Sequence, residues 1–244
     1  MLLNCDLGES YGSWTMGMDA DVMPHIHLAN VACGFHAGDP LTIRRTLALA
    51  ARHGVGVGAH PAYPDLAGFG RRPMHLSHDE LVATVLYQVS ALDGMAMSEG
   101  VQLDYVKPHG AMYNQMMADA GIRAAVMAAV AAYHRPLRLM LLATPDARAH
   151  RREAQEAGVK GLLLEAFADR CYDDDGALLS RGKPGAVHDR ERTLAQVEQL
   201  LREGTVTTAG GNTLPLDADT LCVHGDNLEG VRAIEAIRAL VDKH

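Results

Sequence analysis

The chain has 244 residues, 48% of them hydrophobic, and a formal charge of −8 from 22 basic and 30 acidic side chains. This length suits one α/β domain over residues 1–244 better than two small ones, and the acidic balance excludes a general nucleic-acid binder, which needs a basic surface. No run approaches the roughly 18 apolar residues of a membrane helix, Met1-Leu2-Leu3-Asn4-Cys5-Asp6 meets a carboxylate too early for a signal peptide, and four scattered cysteines make no C-x-x-C pair, so a cytoplasmic protein without a disulfide framework is expected.

In chain order, short apolar runs alternate with amphipathic helical patterns. The first run is Leu2–Cys5, followed by Asp6 and Glu9. The second is Ile26–Cys33, which contains Asn30 and leads to Gly34, His36 and Asp39. Asp39-Pro40 reads as an N-cap with proline at the first helical position, and Gly54 as the stop of that helix. Leu47, Ala48 and Ala51 form its expected apolar stripe. The third run, Val55–Ala59, is followed by His60 and by a long connection, Pro61 to His75, too polar for core and carrying Arg71 and Arg72. Ser77 and Glu80 match a capping box, and Leu81, Val85, Val89 and Leu92 continue at helical spacing.

The fourth run, Leu103–Val106, precedes Lys107, His109 and Asn114. The fifth, Leu137–Ala143, ends blandly. The sixth, Gly161–Leu164, leads to Glu165, Asp169 and Arg170. Leu194, Val197 and Leu201 mark a helix stopped by Gly204, and Val206–Pro215 reads as a small β excursion. The last run, Thr220–Val223, precedes His224, Asp226 and Asn227, and Val231, Ile234, Arg238 and Val241 line the final helix. Seven nearly continuous apolar runs separated by helices predict parallel strands covered on both faces. Periodicity alone does not separate a closed barrel from an open sheet.

In parallel α/β folds the site lies at the carboxyl ends of the strands. Six of the seven runs end in ionisable groups, four of them with a histidine: His36, His60, His109 and His224. One histidine alone would read as structural; four at matched positions do not. These strand ends are expected to line one cleft. Asp6, His36 and His60 could converge on a divalent metal. The metal-free alternative makes Asp6 or Glu9 a general base, with a histidine and Lys107 polarising a carbonyl. Cys5, Cys33 and Cys222 read as small core residues. There is no G-x-x-x-x-G-K-[ST] loop, since Ser180-Arg181-Gly182-Lys183-Pro184-Gly185 lacks the spacing, and no G-x-G-x-x-G follows a strand. Asp6→Asn is expected to remove a needed charge while changing folding little.

Several segments resemble one family in order along the chain: Asn4-Cys5-Asp6-Leu7-Gly8-Glu9, Asn30-Val31-Ala32-Cys33-Gly34-Phe35-His36-Ala37-Gly38-Asp39-Pro40, Gly58-Ala59-His60-Pro61, Gly68-Phe69-Gly70-Arg71-Arg72, Lys107-Pro108-His109-Gly110, Glu165-Ala166-Phe167-Ala168-Asp169-Arg170 and Cys222-Val223-His224-Gly225-Asp226-Asn227. This series is similar to the LamB/YcsF family, the A-type subunits of 5-oxoprolinase. The resemblance implies an α/β, TIM-barrel-like (β/α)7 barrel of the glycoside hydrolase/deacetylase type. It implies ATP-dependent opening of the lactam 5-oxoproline to glutamate, with ATP as co-substrate shared with two partner subunits of the B and C types. The expected catalytic residues are Asp6, Glu9, His60, Lys107 and His109. Asn4, Asn30, His36, Arg71, Glu165, Asp169, Arg170, His224 and Asp226 are expected to bind substrate, with Lys107, Arg71 or Arg170 holding a phosphate or the substrate carboxylate. Two alternatives stand beside this: a metal-dependent N-acetyl or polysaccharide deacetylase, and a non-catalytic component that only presents the lactam.

Overall fold

The computed structural model of the protein describes residues 1–225 and 228–244, so Asp226 and Asn227 lie outside the described residues. Seven parallel strands close into a barrel, which settles the choice that periodicity left open. They are β1 (Leu2–Leu7), β2 (Leu28–Ala32), β3 (Gly56–His60), β4 (Leu103–Val106), β5 (Arg138–Leu142), β6 (Leu162–Phe167) and β9 (Thr220–Val223). An antiparallel ribbon of β7 (Thr205–Thr207) and β8 (Thr213–Pro215) forms the expected excursion before β9. β9 lies between β6 and β1, so Asn4 sits opposite Cys222 and the last strand seals the first.

The helices are α1 (Asp19–Val22), α2 (Pro40–His53), α3 (His78–Ser98), α4 (Gly110–Ala118), α5 (Ala120–Ala131), α6 (Ala147–Glu156), α7 (Arg190–Glu203) and α8 (Leu228–Val241). Their ends follow local chemistry. Asp39 accepts hydrogen bonds from the Leu41 and Thr42 amides at the start of α2, and Gly54 closes it in the left-handed region at φ 64°. Ser77 and Glu80 form the full capping box of α3. The buried stripe of α2 is Ile43, Thr46, Leu47 and Ala50, and Ala51 faces solvent instead. In α8, Ile237 takes the buried place expected of Arg238, which pairs with Asp242.

α3 is long and apolar enough to cross a membrane by length and composition, contrary to the sequence expectation. Here it packs on the barrel: Leu81, Val85, Val89 and Leu92 are buried, and buried Asp93 accepts a hydrogen bond from Tyr133 and pairs with Arg135. The connection after β3 also departs from expectation. Pro61, Ala62 and Tyr63 are buried, and the buried Gln88 amide satisfies both the N–H and the C=O of Ala62.

Two apolar regions result. A large one fills the space between strands and helices. A small one, Leu28, Tyr105, Met140 and Leu163, plugs the inside of the barrel. Because side chains alternate along a strand, the next inward positions on these strands and their neighbours are Asn30, Lys107, Leu142 and Glu165, with Asn4 and Asp6 from β1. The inside of the barrel thus changes from apolar floor to polar mouth over one residue layer. Gly58 on β3 permits this floor, since a Cβ there would fall 2.1 Å from the Tyr105 ring.

Candidate active site

Asp6 and His60 are still inside their strands, and Glu165 is the fourth residue of β6. The apolar runs stop early because the inner face turns polar, although the strands continue. Asp6 lies at the centre of the mouth. Its Oδ1 accepts hydrogen bonds from Asn30 Nδ2 at 2.8 Å and Lys107 Nζ at 2.9 Å. Its Oδ2 is 3.3 Å from His60 Nε2. Burial alone would raise the Asp6 pKa, but the His60 and Lys107 charges overcome it and hold the carboxyl well below the usual range. Asp6 is therefore an anion.

Lys107 is 2% exposed and also lies 3.0 Å from Glu165 Oε2. Burial would lower its pKa, yet the Asp6 and Glu165 carboxylates push it well above normal, so it stays a cation. Glu165 is fully buried, and its two oxygens and the nearby Tyr113 hydroxyl have no aligned hydrogen-bond partner. Cys222 faces this cluster, 3.4 Å from Lys107 Nζ. Burial drives its thiol pKa well up, which favours the neutral thiol over a thiolate.

Asn4 and Asn30, expected to bind substrate, are fully buried inside the barrel, Asn30 level with Asp6 and Asn4 one inward position before it on β1. Asn4 donates to Thr220 Oγ1 and accepts from Asn30, and Tyr105 Oη donates to Asn30 Oδ1 at 2.6 Å. Their polar atoms are spent on holding Asp6 in place, so they support the site rather than line it. Asp6 ties β1 to β2 and β4, so Asp6→Asn is expected to weaken folding as well as the site.

The second half of the mouth is histidine-rich. His36 Nε2 is 3.0 Å from Glu9 Oε1, and His109 Nδ1 is 3.4 Å from the same oxygen. His36 and His109 stack with centroids 3.8 Å apart, and His60 meets His109 edge-on. Burial, reinforced by neighbouring rings, lowers the pKa of both His36 and His109 well below normal. Gly70, at φ 64°, lets the backbone reach these rings, since a Cβ there would lie 2.8 Å from His36 Cβ. The four residues Glu9, His36, His60 and His109 offer ligand atoms all within 4.8 Å of one another and could hold a metal. Asp6, grouped with His36 and His60 on sequence, is not in that set: its Oδ1 is bonded to Lys107 and Asn30, while its Oδ2 lies 3.3 Å from His60 Nε2.

The remaining expected residues divide. His224 Nδ1 pairs with Asp169 at 2.9 Å on another side of the mouth, and Arg181 reaches within 3.5 Å of His224 Nε2. Arg181 was visible only as part of a basic, glycine-rich segment. Arg71 is an exposed rim residue with its guanidinium over the Phe69 ring. Arg170 does not serve as an anion clamp. It is buried, and it donates to the Ala186 and Leu179 carbonyls, bracing the loop between β6 and α7. Asp226 lies outside the described residues. A cavity of about 250 Å³ opens beside Asp6 and Glu9, with Met16, Asp19 and Gly225 on its walls. Asp19, which the sequence did not single out, is bonded by Thr46 and the Gly8 amide, and burial raises its pKa.

The arrangement offers a fixed anion–cation pair, a second carboxylate and neutral imidazoles around a small cavity, which suits polarising or hydrolysing a carbonyl compound. Known proteins match along the whole chain. A relative from Chromohalobacter salexigens, named as an A-type 5-oxoprolinase subunit, is 54% identical over 242 residues, covering 99% of this chain and 96% of its own. A Pseudomonas putida protein, named as the second such subunit of its organism, is 55% identical over 243 residues, covering 99% and 94%. A solved structure, a lactam utilization protein from Thermus thermophilus, superposes with a TM-score of 0.90 at 41% identity over 99% of this chain and 97% of that one. The LamB/YcsF family model matches residues 1–244, and the chain belongs to the LamB/YcsF family.

Proposed function

We propose that the protein is the A-type component of a cytoplasmic ATP-dependent 5-oxoprolinase, which opens 5-oxo-L-proline to L-glutamate with hydrolysis of ATP, together with two partner subunits of the B and C types. The observation that carries this reading is the full-length similarity to relatives bearing that name. Four free, buried cysteines fit a reducing compartment.

A γ-lactam is an unstrained amide, so direct hydrolysis is poorly driven. Transfer of the ATP γ-phosphoryl group to the lactam oxygen would activate the ring carbon. Water adds there, the C–N bond breaks as the nitrogen takes a proton to leave γ-glutamyl phosphate, and a second water hydrolyses that acyl phosphate to glutamate and phosphate. No phosphate-binding loop of the G-x-x-x-x-G-K-[ST] type occurs in the sequence, which favours partner subunits handling much of the nucleotide. In this chain, Lys107 would stabilise negative charge developing at the ring carbon, held as a cation by Asp6 and Glu165. Asp6 is too weak a base to take a proton at neutral pH, since its pKa is depressed. Its role is to fix Lys107 and to orient His60. Glu9, which opens on the cavity, is the better placed base for water. Arg71 and Arg181 at the rim are placed to meet a substrate carboxylate or phosphate.

The test is glutamate formation from 5-oxoproline and ATP with all three subunits and with each omitted. Turnover is expected only with the complete set. Robust turnover by this chain alone would refute the three-component reading, and no turnover by the complete set would refute the activity. A second reading, an N-acetyl deacetylase, is favoured by the Glu9 and histidine cluster. Acetate release from N-acetylated sugars by the chain alone would establish it instead. Full turnover by the two partners without this chain would leave it a non-catalytic binding component.

A further inference from the structure

The histidine half of the mouth carries a conflict in its hydrogen bonding. His60 Nδ1 lies 2.6 Å from the Lys107 carbonyl oxygen. A carbonyl only accepts, so His60 carries its proton on Nδ1 and its Nε2 lone pair points inward. His109 Nε2 lies 2.9 Å from the Phe69 carbonyl oxygen, so by the same logic the His109 lone pair is on Nδ1. These two lone pairs face each other at 3.0 Å. Glu9 Oε1 stands close by, 3.4 Å from His109 Nδ1 and 3.0 Å from His36 Nε2. In the neutral rings these two lone pairs repel, and Asp6 Oδ2 adds a third 3.3 Å from His60 Nε2, so the buried cluster is stable when something positive, a proton or a metal ion, sits among them.

The backbone is shaped to keep them so. The carbonyl that fixes His109 belongs to Phe69, whose φ of 54° makes it the one non-glycine residue in the left-handed region among the described residues. Strain of this kind persists where surrounding structure enforces it, and it clusters at ligand sites. Imidazoles that donate their outer N–H to a backbone carbonyl are the usual outer support of a metal ligand, because that bond fixes both the tautomer and the ring orientation.

We propose that Glu9, His36, His60 and His109 form a binding site for a first-row divalent cation of the zinc class. Three imidazoles and one carboxylate match that preference in ligand type. The spacing matches too. Ligand atoms about 2.0–2.1 Å from zinc in a tetrahedron stand about 3.3 Å apart; three of the six separations are 3.0, 3.0 and 3.4 Å, and the whole set lies within 4.8 Å, so a small inward shift closes it around an ion. Glu9 is the member that opens on the cavity. It is the ligand a water or a substrate oxygen could displace, which would let the ion act on a carbonyl. The cation site stands independently of which substrate the cavity takes.

The test uses the whole chain without substrate. Protein stripped by chelator dialysis is titrated with Co²⁺ and, separately, with Zn²⁺. The expected results are a visible d–d spectrum of a four- or five-coordinate ion and one equivalent of zinc retained after gel filtration. His60→Gln and His109→Gln should each weaken zinc binding by more than the roughly 10–100-fold that loss of a mere supporting bond costs. His150→Gln, on α6, should bind as the parent does. Far-ultraviolet circular dichroism confirms that each variant is folded. Retention below about a tenth of an equivalent by folded parent protein would overturn the site, and so would unchanged zinc affinity in folded His60→Gln and His109→Gln.

Discussion

The two halves of the barrel mouth touch at Asp6 and His60, 3.3 Å apart, yet they are built on opposite principles. In the lysine half, the Lys107 ammonium meets the carboxylates of Asp6 and Glu165, and Asn4, Asn30 and Tyr105 anchor the group from below. Charge is tolerated inside because folding brings the counter-charge from another strand. In the histidine half, the lone pairs of His60 and His109 are aimed at each other, each fixed by a carbonyl behind its ring. The first half pairs its cation with carboxylates of its own. The second is held ready for something the chain does not contain.

That contrast predicts unequal responses to mutation. Lys107→Met leaves two carboxylates in the barrel without their cation, and the expected cost is about 3–5 kcal/mol, read by urea unfolding. Glu9→Gln in metal-free protein keeps an oxygen that can accept from His36 and should cost about 0.5–1.5 kcal/mol, the scale of one ordinary hydrogen bond. Equal losses would erase the distinction between the halves.

Asp6→Asn is the next largest effect. Turnover of the reconstituted three-subunit complex should fall roughly 100-fold or more, the scale of misplacing the catalytic groups that Asp6 positions. The variant should also melt earlier, because Lys107 keeps only Glu165. Near-normal turnover would remove Asp6 from the reaction.

Tyr105→Phe probes the link between the apolar floor and the lysine half. It removes the hydroxyl that donates to Asn30 Oδ1 at 2.6 Å, and a fully buried acceptor losing its partner costs about 1–3 kcal/mol. An unchanged unfolding midpoint would mean that Asn30 is fixed by Asn4 and Asp6 alone.

The smallest effect belongs to the outer pair. Burial would lower the His224 pKa, but the Asp169 charge and hydrogen bond raise it above 6.5, aided by Asp6 and opposed by Arg181. Burial would raise the Asp169 pKa, and His224 brings it below 3.8. The His224 contribution to stability is full below pH 6.5 and fades as pH rises through its raised value. The Asp169 contribution is full above pH 3.8 and fades as pH falls through its lowered value. The difference in melting temperature between parent and Asp169→Asn should therefore be greatest between these limits and shrink at alkaline pH. A difference that grows above pH 8 would contradict the pairing.

Much of this was legible in the sequence. Apolar runs located all seven barrel strands, and Asp39, Ser77, Gly54 and Gly204 marked helix ends because capping is local chemistry. Strand ends were harder. Leu2–Cys5 and Gly161–Leu164 stopped short of Asp6 and Glu165, since hydrophobicity reports the lining of the barrel and not the hydrogen-bonded ladder. Asp6, Glu9, His60, Lys107 and His109 were identified by position, but their grouping was not. Which carboxylate faces lysine and which faces imidazole depends on inter-strand register and on the Phe69–Gly70 turn. Arg170 misled for a related reason: a guanidinium after a strand reads as a ligand clamp, whereas its donors are consumed by loop carbonyls.

The seam between β1 and β9 has a consequence for how the molecule is made. Asn4 and its partner Thr220 are 216 positions apart. Asp6 leaves the ribosome long before Thr220, and its surroundings cannot assemble until β9 has emerged. Contacts of such long range carry a large loop-closure cost and slow the search for the native state. During that interval β1 and β6 each present a bare strand edge, the kind of surface that seeks a partner in another chain. Nascent protein truncated before Thr220 should therefore be far more prone to aggregation and to chaperone capture than its composition suggests.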